Sequence, residues 1–215
     1  MTRNSPYTSP QSHLALYLAL GLIFLIIGFL PFLDAEQQKN ILTEGGLFES
    51  LTVYLYIFCL ILINGYWPWE KIISKWYFSA LIILFALREL DYDKAHFTHG
   101  ILKSKQYFSD LVSMPELVMS ISILIFILVI LALIVLREKN NFIKGVKNFK
   151  QSQLAILVSI VLVILTKTID GLKRKLESFG VDLSQSGEQF ALIVEEIGEM
   201  GIPIMFCIAI ISNTK

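Results

Sequence analysis

Apolar residues along this chain gather in blocks of roughly 20, about the number a helix needs to cross the hydrocarbon core of a bilayer, and polar segments separate the blocks. Six blocks predict six transmembrane helices, over about 14 to 33, 47 to 66, 74 to 90, 115 to 136, 153 to 169 and 189 to 212. The expected fold class is therefore all-α: a polytopic membrane protein with about six transmembrane helices and a short interfacial helix, forming a single domain over 14 to 212. The third and fifth blocks are the shortest. Residues 1 to 13, MTRNSPYTSPQSH, are polar with two prolines and predict a disordered tail. No internal repeat is evident.

The longest polar connections, about 91 to 113 and 170 to 188, keep regular apolar positions and are expected to form ordered caps against the membrane. In IDGLKRKLESFG, Leu172, Leu176 and Phe179 recur at helical spacing with Lys173, Arg174 and Lys175 between them, and Gly180 supplies a C-terminal stop. That pattern predicts the interfacial amphipathic helix. Ser113-Met-Pro-Glu116 fits a capping box with proline in the first turn, opening the fourth span, and Ser186-Gly-Glu-Gln189 fits one opening the sixth. Trp67 and Trp69 suit an aromatic belt at a membrane boundary.

Composition agrees with the blocks. Hydrophobic residues make up 55% of the 215, and charged residues 17% against roughly 25% in a soluble domain. The mean hydropathy is +0.65. The first block, LALYLALGLIFLIIGFLPFL, is longer than a signal-peptide core, and no convincing small-residue cleavage site follows it, so it is read as an uncleaved span. Cys59 and Cys207 fall in the second and sixth spans at different expected depths, which argues against a structural disulfide.

Charge divides sharply between the two sets of connections. The set containing both termini holds nine basic residues (Arg3, Lys71, Lys75, Arg137, Lys139, Lys144, Lys147, Lys150 and Lys215) against Glu70 and Glu138, a net +7, which leaves the other face at −7. Lysine and arginine alone tie at nine a side, so the positive-inside rule does not fix the orientation by count. Position breaks the tie. Arg88, Lys103 and Lys167 sit beside acids, whereas the 137 to 150 run is unopposed, which predicts both termini in the cytoplasm of a bacterial inner membrane.

Sixteen of the 18 carboxylates thus lie toward one face, and several fall inside helices. Glu44 and Glu49 open the second span, where a helix N-terminus favours negative charge. Arg88, Glu89 and Asp91 close the third, and Lys167 and Asp170 close the fifth. A snorkelling arginine and helix-end anchors explain those residues without function. Glu195, Glu196 and Glu199 resist that explanation. A sixth span starting near Gln189 puts Glu199 about 15 Å along the helix, near mid-membrane, where an ionised carboxylate costs several kcal/mol. Starting the span after Glu199 leaves about 12 residues, too few to cross. Pro203, one turn on, is expected to free a carbonyl and kink the helix. The binding-pocket candidates are accordingly Glu49, Arg88, Glu89, Asp91, Lys103, Lys167, Asp170, Glu195, Glu196 and Glu199. No cofactor is predicted. If a divalent metal is present, His96 and His99 with Glu195 and Glu199 are the candidate donors, although HxxH is a common spacing and no third soft ligand is evident.

Taken in order, Glu44-Gly-Gly with Glu49, Arg88-Glu-Leu-Asp91, the run from Ile101 to Tyr107, Lys167-x-x-Asp170 and the late Glu195-Glu196 pair resemble a pattern of multi-pass bacterial inner-membrane proteins. The resemblance implies the multi-span fold and carries no activity with it. With only three histidines, the chain lacks the histidine-rich motifs of membrane hydrolases such as the alkaline ceramidases.

Three functions fit the pattern. The first is a protein that binds or transports a cation, proton or small polar solute in an intramembrane acidic pocket opening to the non-cytoplasmic face. The second is a structural or accessory subunit of a membrane complex, or of a homo-oligomer, in which charged pairs fix helix register. The third is an intramembrane metal-dependent hydrolase or lipid head-group enzyme, with paired glutamates as acid and base and Lys103 or Lys167 on phosphate. No nucleophile stands out beside a base, so the chain leans away from an enzyme. The bilayer is the expected partner. No Walker loop, GxGxxG or CxxCH is present, and no nucleic-acid partner is expected.

Overall fold

The computed structural model describes residues 13 to 42 and 45 to 213. The tail over 1 to 12 and Glu44 lie outside the described residues. Every regular element among the described residues is helical: α1 (Leu14–Phe29), α2 (Ala35–Leu42), α3 (Leu47–Tyr66), α4 (Trp69–Ser74), α5 (Trp76–Glu89), α6 (Tyr92–His96), α7 (Lys105–Phe108), α8 (Met114–Lys147), α9 (Gln151–Ile169), α10 (Leu172–Glu177) and α11 (Gln185–Ser212). A 3-10 turn, Leu30–Phe32, extends α1.

Among the described residues, four segments are long and apolar enough to cross a membrane: Leu14–Phe32, Glu36–Tyr66, Met114–Lys147 and Gln151–Ile169. They correspond to the first, second, fourth and fifth expected spans. The third and sixth differ for separate physical reasons. Lys75 separates α4 from α5, whose 14 residues rise about 21 Å. α11 has ample length at 28 residues, but Glu188, Glu195, Glu196 and Glu199 crowd charge into the stretch from its start to its middle.

α11 is the hub of the bundle. It packs on α9, α3 and α1, and every residue from 197 to 203 is buried. Close approach to α9 depends on glycine: a Cβ added at Gly198 would lie 2.6 Å from Thr166 Cγ2, and one at Gly201 would lie 2.9 Å from Leu162 Cδ1. On α3 the buried Thr52, Tyr56, Cys59 and Ile63 form one stripe facing this hub. α11 continues as a helix through Pro203, whose carbonyl accepts from Cys59 Sγ at 3.3 Å.

Several expected helix ends are corrected. α11 starts at Gln185, ahead of the expected box at Ser186, because Ser184 is the cap and its Oγ accepts the Gly187 N–H at 3.2 Å. Ser113 does cap α8, with proline in the first turn, but its side chain makes no capping bond. Glu116 does not close a box there, since its carboxylate is taken by the Thr98 N–H at 2.7 Å and by Gln106 Nε2 at 2.8 Å. α8 runs for 34 residues, through the basic stretch expected to be a loop. A short helix, α10, forms where the amphipathic one was expected, and Gly180 adopts φ +75° after it. The two cysteines, expected at different depths, meet with their sulfurs 3.2 Å apart, both as free thiols.

Candidate functional site: a carboxylate-rich pocket

α3 and α11 begin, and α5 and α9 end, at the same end of the bundle, and this brings the charged residues of four helices together. Arg88, in the last turn of α5, donates through Nη2 to Glu199 Oε1 on α11. Its Nη1 lies 3.6 Å from Glu89 Oε1, within ion-pair range but beyond a hydrogen bond. Glu89 and Glu199 are both buried, at 7% and 8% exposure. Glu89 Oε1 has no hydrogen-bond partner, and neither does the buried hydroxyl of Tyr56.

Around this centre the acids outnumber the cations. Glu196 lies within electrostatic range of Glu199, Glu195, Glu49 and Glu89, and Glu195 within range of Asp170, Glu199, Lys167 and Arg88. One carboxylate oxygen of Glu49 accepts the N–H of Gly45 and so steadies the start of α3. At the rim, Lys167 Nζ binds Asp170 at 2.9 Å, and this ammonium holds the Asp170 carboxyl below the usual aspartate range. Lys175 reaches back from α10 to the carbonyls of Lys167 and Thr168, at 3.0 and 3.1 Å, satisfying acceptors left open at the end of α9.

The remaining candidates stand apart. Asp91, in the left-handed region at φ +47°, pairs with Lys94 at 2.9 Å. Lys103 is exposed and lines a separate cleft with His99 and Arg174. His96 stacks on Tyr92, with ring centroids 4.0 Å apart, and its Nδ1 lies 2.9 Å from the Tyr92 carbonyl. The proposed donor set His96, His99, Glu195 and Glu199 is not assembled: among the described residues no three His, Cys, Asp or Glu side chains group so as to hold a metal ion.

Two residues of this end were not among the sequence candidates. Tyr56 carries the orphaned hydroxyl and lies within electrostatic range of Glu89, Arg88 and Glu199. Its place seven residues after Glu49 on α3 was the available signal. Gln106 is fully buried; it donates to Glu116 and to Ser120 Oγ and accepts the His99 N–H, which fastens the 97 to 108 loop to α8. Below Tyr56, the rings of Phe85 and Phe206, with centroids 5.7 and 6.4 Å from its own, begin an apolar cavity of about 340 Å³ that extends to Trp67 and Asn213. None of the clustered carboxylates lines this cavity, and Phe85 and Phe206 connect it to Tyr56. No family model, curated protein or solved structure matches this chain.

Proposed function

We propose that the protein crosses a bacterial inner membrane six times, with both termini in the cytoplasm, and that its carboxylate pocket takes up a cation, a proton or a small positively charged solute from the non-cytoplasmic side. α5 with α4, and α11, supply the two crossings beyond the four apolar segments. The observation that carries the reading is Glu89: a buried carboxylate whose Oε1 has no hydrogen bond and shares Arg88 with the already paired Glu199, with Glu49 and Glu196 in electrostatic range. A buried charge left in that state is costly unless a proton or cation neutralises it. Binding followed by release of such a cation is what an acidic intramembrane pocket can do chemically.

A second reading, a structural subunit held in register by charge, draws support from the Arg88–Glu199 pair that ties α5 to α11. Flux separates the two. The chain reconstituted into vesicles containing a pH-sensitive dye is given inward gradients of sodium, potassium, calcium or methylammonium. The expected result is a dye response to at least one cation that is lost in Glu89→Gln and Glu195→Gln. No response to any of them, together with no cation-dependent thermal stabilisation of the purified protein, would sink the reading.

A further inference from the structure

The loop over 97 to 105 and helix α10 enclose a second polar feature, opposite in charge to the carboxylate pocket. It is a cleft of about 650 Å³ lined by Lys94, Lys103, Lys105 and Arg174, with the hydroxyl-bearing Thr98 and Ser104 among them. Among the described residues no carboxylate lines it, although the Thr98 hydroxyl donates to Glu116 Oε2 at 3.1 Å. Lys94 is engaged by Asp91, but Lys103, Lys105 and Arg174 have no acid within ion-pair distance among the described residues. Like charges do not gather without counter-charge at no cost, so the grouping is destabilising by itself.

Two further observations point to a ligand. His99 also lines the cleft, and its Nε2 is buried without a hydrogen-bond partner. The loop is also built rather than loose: fully buried Gln106 fixes the His99 backbone N–H at 2.8 Å, and Glu116 fixes the Thr98 N–H at 2.7 Å. The ammonium and guanidinium groups around the cleft, with the Ser104 hydroxyl beside them, are the chemistry that recognises phosphate.

The surroundings indicate where that phosphate comes from. Along the chain Leu102 precedes Lys103, Phe108 and Leu111 follow Lys105, and Phe179 follows α10; all four are exposed. Apolar side chains beside basic ones are the pattern of a segment lying in the membrane interface, at the depth of lipid phosphates. We propose that this cleft binds a phosphate group, supplied by the head group of an anionic phospholipid. The site is independent of the carboxylate pocket and of what that pocket binds.

Native mass spectrometry of the detergent-purified full chain, titrated with phosphatidylglycerol or phosphatidylcholine, tests this. Wild type should retain one phosphatidylglycerol more tightly than phosphatidylcholine. Lys103→Ala/Arg174→Ala should weaken that retention at least about tenfold, because two charged donors are lost. Lys139→Ala/Lys144→Ala, which removes equal charge from α8, should leave it unchanged. Inorganic phosphate that displaces the lipid would show that the free anion suffices, whereas failure to displace it would show that the lipid is required; both outcomes support the phosphate site. Equal retention of the two lipids by wild type, or equal loss in the two double variants, overturns it. The wild-type comparison of lipids stands even where a double variant fails to fold.

Discussion

The two ends of helix α5 solve the same problem in opposite ways. At its start, Glu138 of α8 receives Lys75 Nζ at 2.7 Å and Tyr77 Oη at 2.6 Å, and neighbouring Arg137 caps the Ser74 carbonyl at 3.4 Å. One acid meets two donors, and the interaction locks α5 to α8. At its finish, Arg88 is shared between Glu199 and Glu89, with Glu195, Glu196 and Glu49 in range and Glu89 Oε1 without a hydrogen bond. A charge pair that only sets helix register needs no surplus. The saturated end reads as structure, and the surplus at the other end distinguishes the pocket.

Substitutions can break that contrast. Arg88→Met should have the largest effect, about 3 kcal/mol of destabilisation, because it leaves Glu199 and Glu89 buried without a cation. A depressed thermal midpoint in detergent would report it. Gly198→Ala comes next: its Cβ would lie 2.6 Å from Thr166 Cγ2, and overpacking of this kind costs about 1–3 kcal/mol. It should loosen α9 from α11 and disturb the pocket without touching a charge. Lys75→Met at the saturated end should cost no more than about 1 kcal/mol, since the pair is partly exposed and Tyr77 still donates to Glu138. A larger loss for Lys75→Met than for Arg88→Met would reverse the ranking.

The smallest effect is at the rim. Asp170 is held below its ordinary value by Lys167, so its folded form binds its proton less readily than the unfolded chain does. The stabilisation is therefore fully present above about pH 4, the ordinary aspartate value, and is lost as pH falls through the depressed folded value. With the side chain 47% exposed, solvent screening keeps it small. Asp170→Asn should lower stability slightly at neutral pH and match wild type at the acid end, which flattens the acid limb of the profile.

The pocket was readable from sequence to the extent that burial could be inferred from a helix pattern. Glu195, Glu196 and Glu199 stood out because charge inside an apolar block is costly, and α3 spans the expected 47 to 66. Arg88 and Glu89 could be placed near them because helix direction alternates across a membrane. Loop residues could not be placed this way. Lys103 and His99 owe their positions to Gln106 and Glu116, whose bonds depend on how a non-periodic segment folds back on α8. Tyr56 was hidden by surroundings as apolar as its own ring. The cysteines mislead when depth is counted from each helix start, because α11 begins well before it draws level with the start of α3. α3 and α11 run in the same direction from the pocket, with Glu49 near Glu196 and Cys59 against Cys207 at nearly equal distances along their helices. The length of α8 escaped because lysine and arginine are good helix formers that carry a span onward into water.

The central claim is that the surplus acid serves binding and not the fold, and the most direct measurement is the thermal midpoint of Glu89→Gln beside Glu138→Gln, each with and without sodium, potassium, calcium and methylammonium. Removing a buried carboxylate that has no hydrogen bond at Oε1 and only shares Arg88 with Glu199 should leave the midpoint of Glu89→Gln equal to or above that of wild type while abolishing any cation-induced rise. Glu138→Gln should lower the midpoint and keep that rise. A Glu89→Gln protein destabilised as much as Glu138→Gln, with its cation response intact, would contradict the claim.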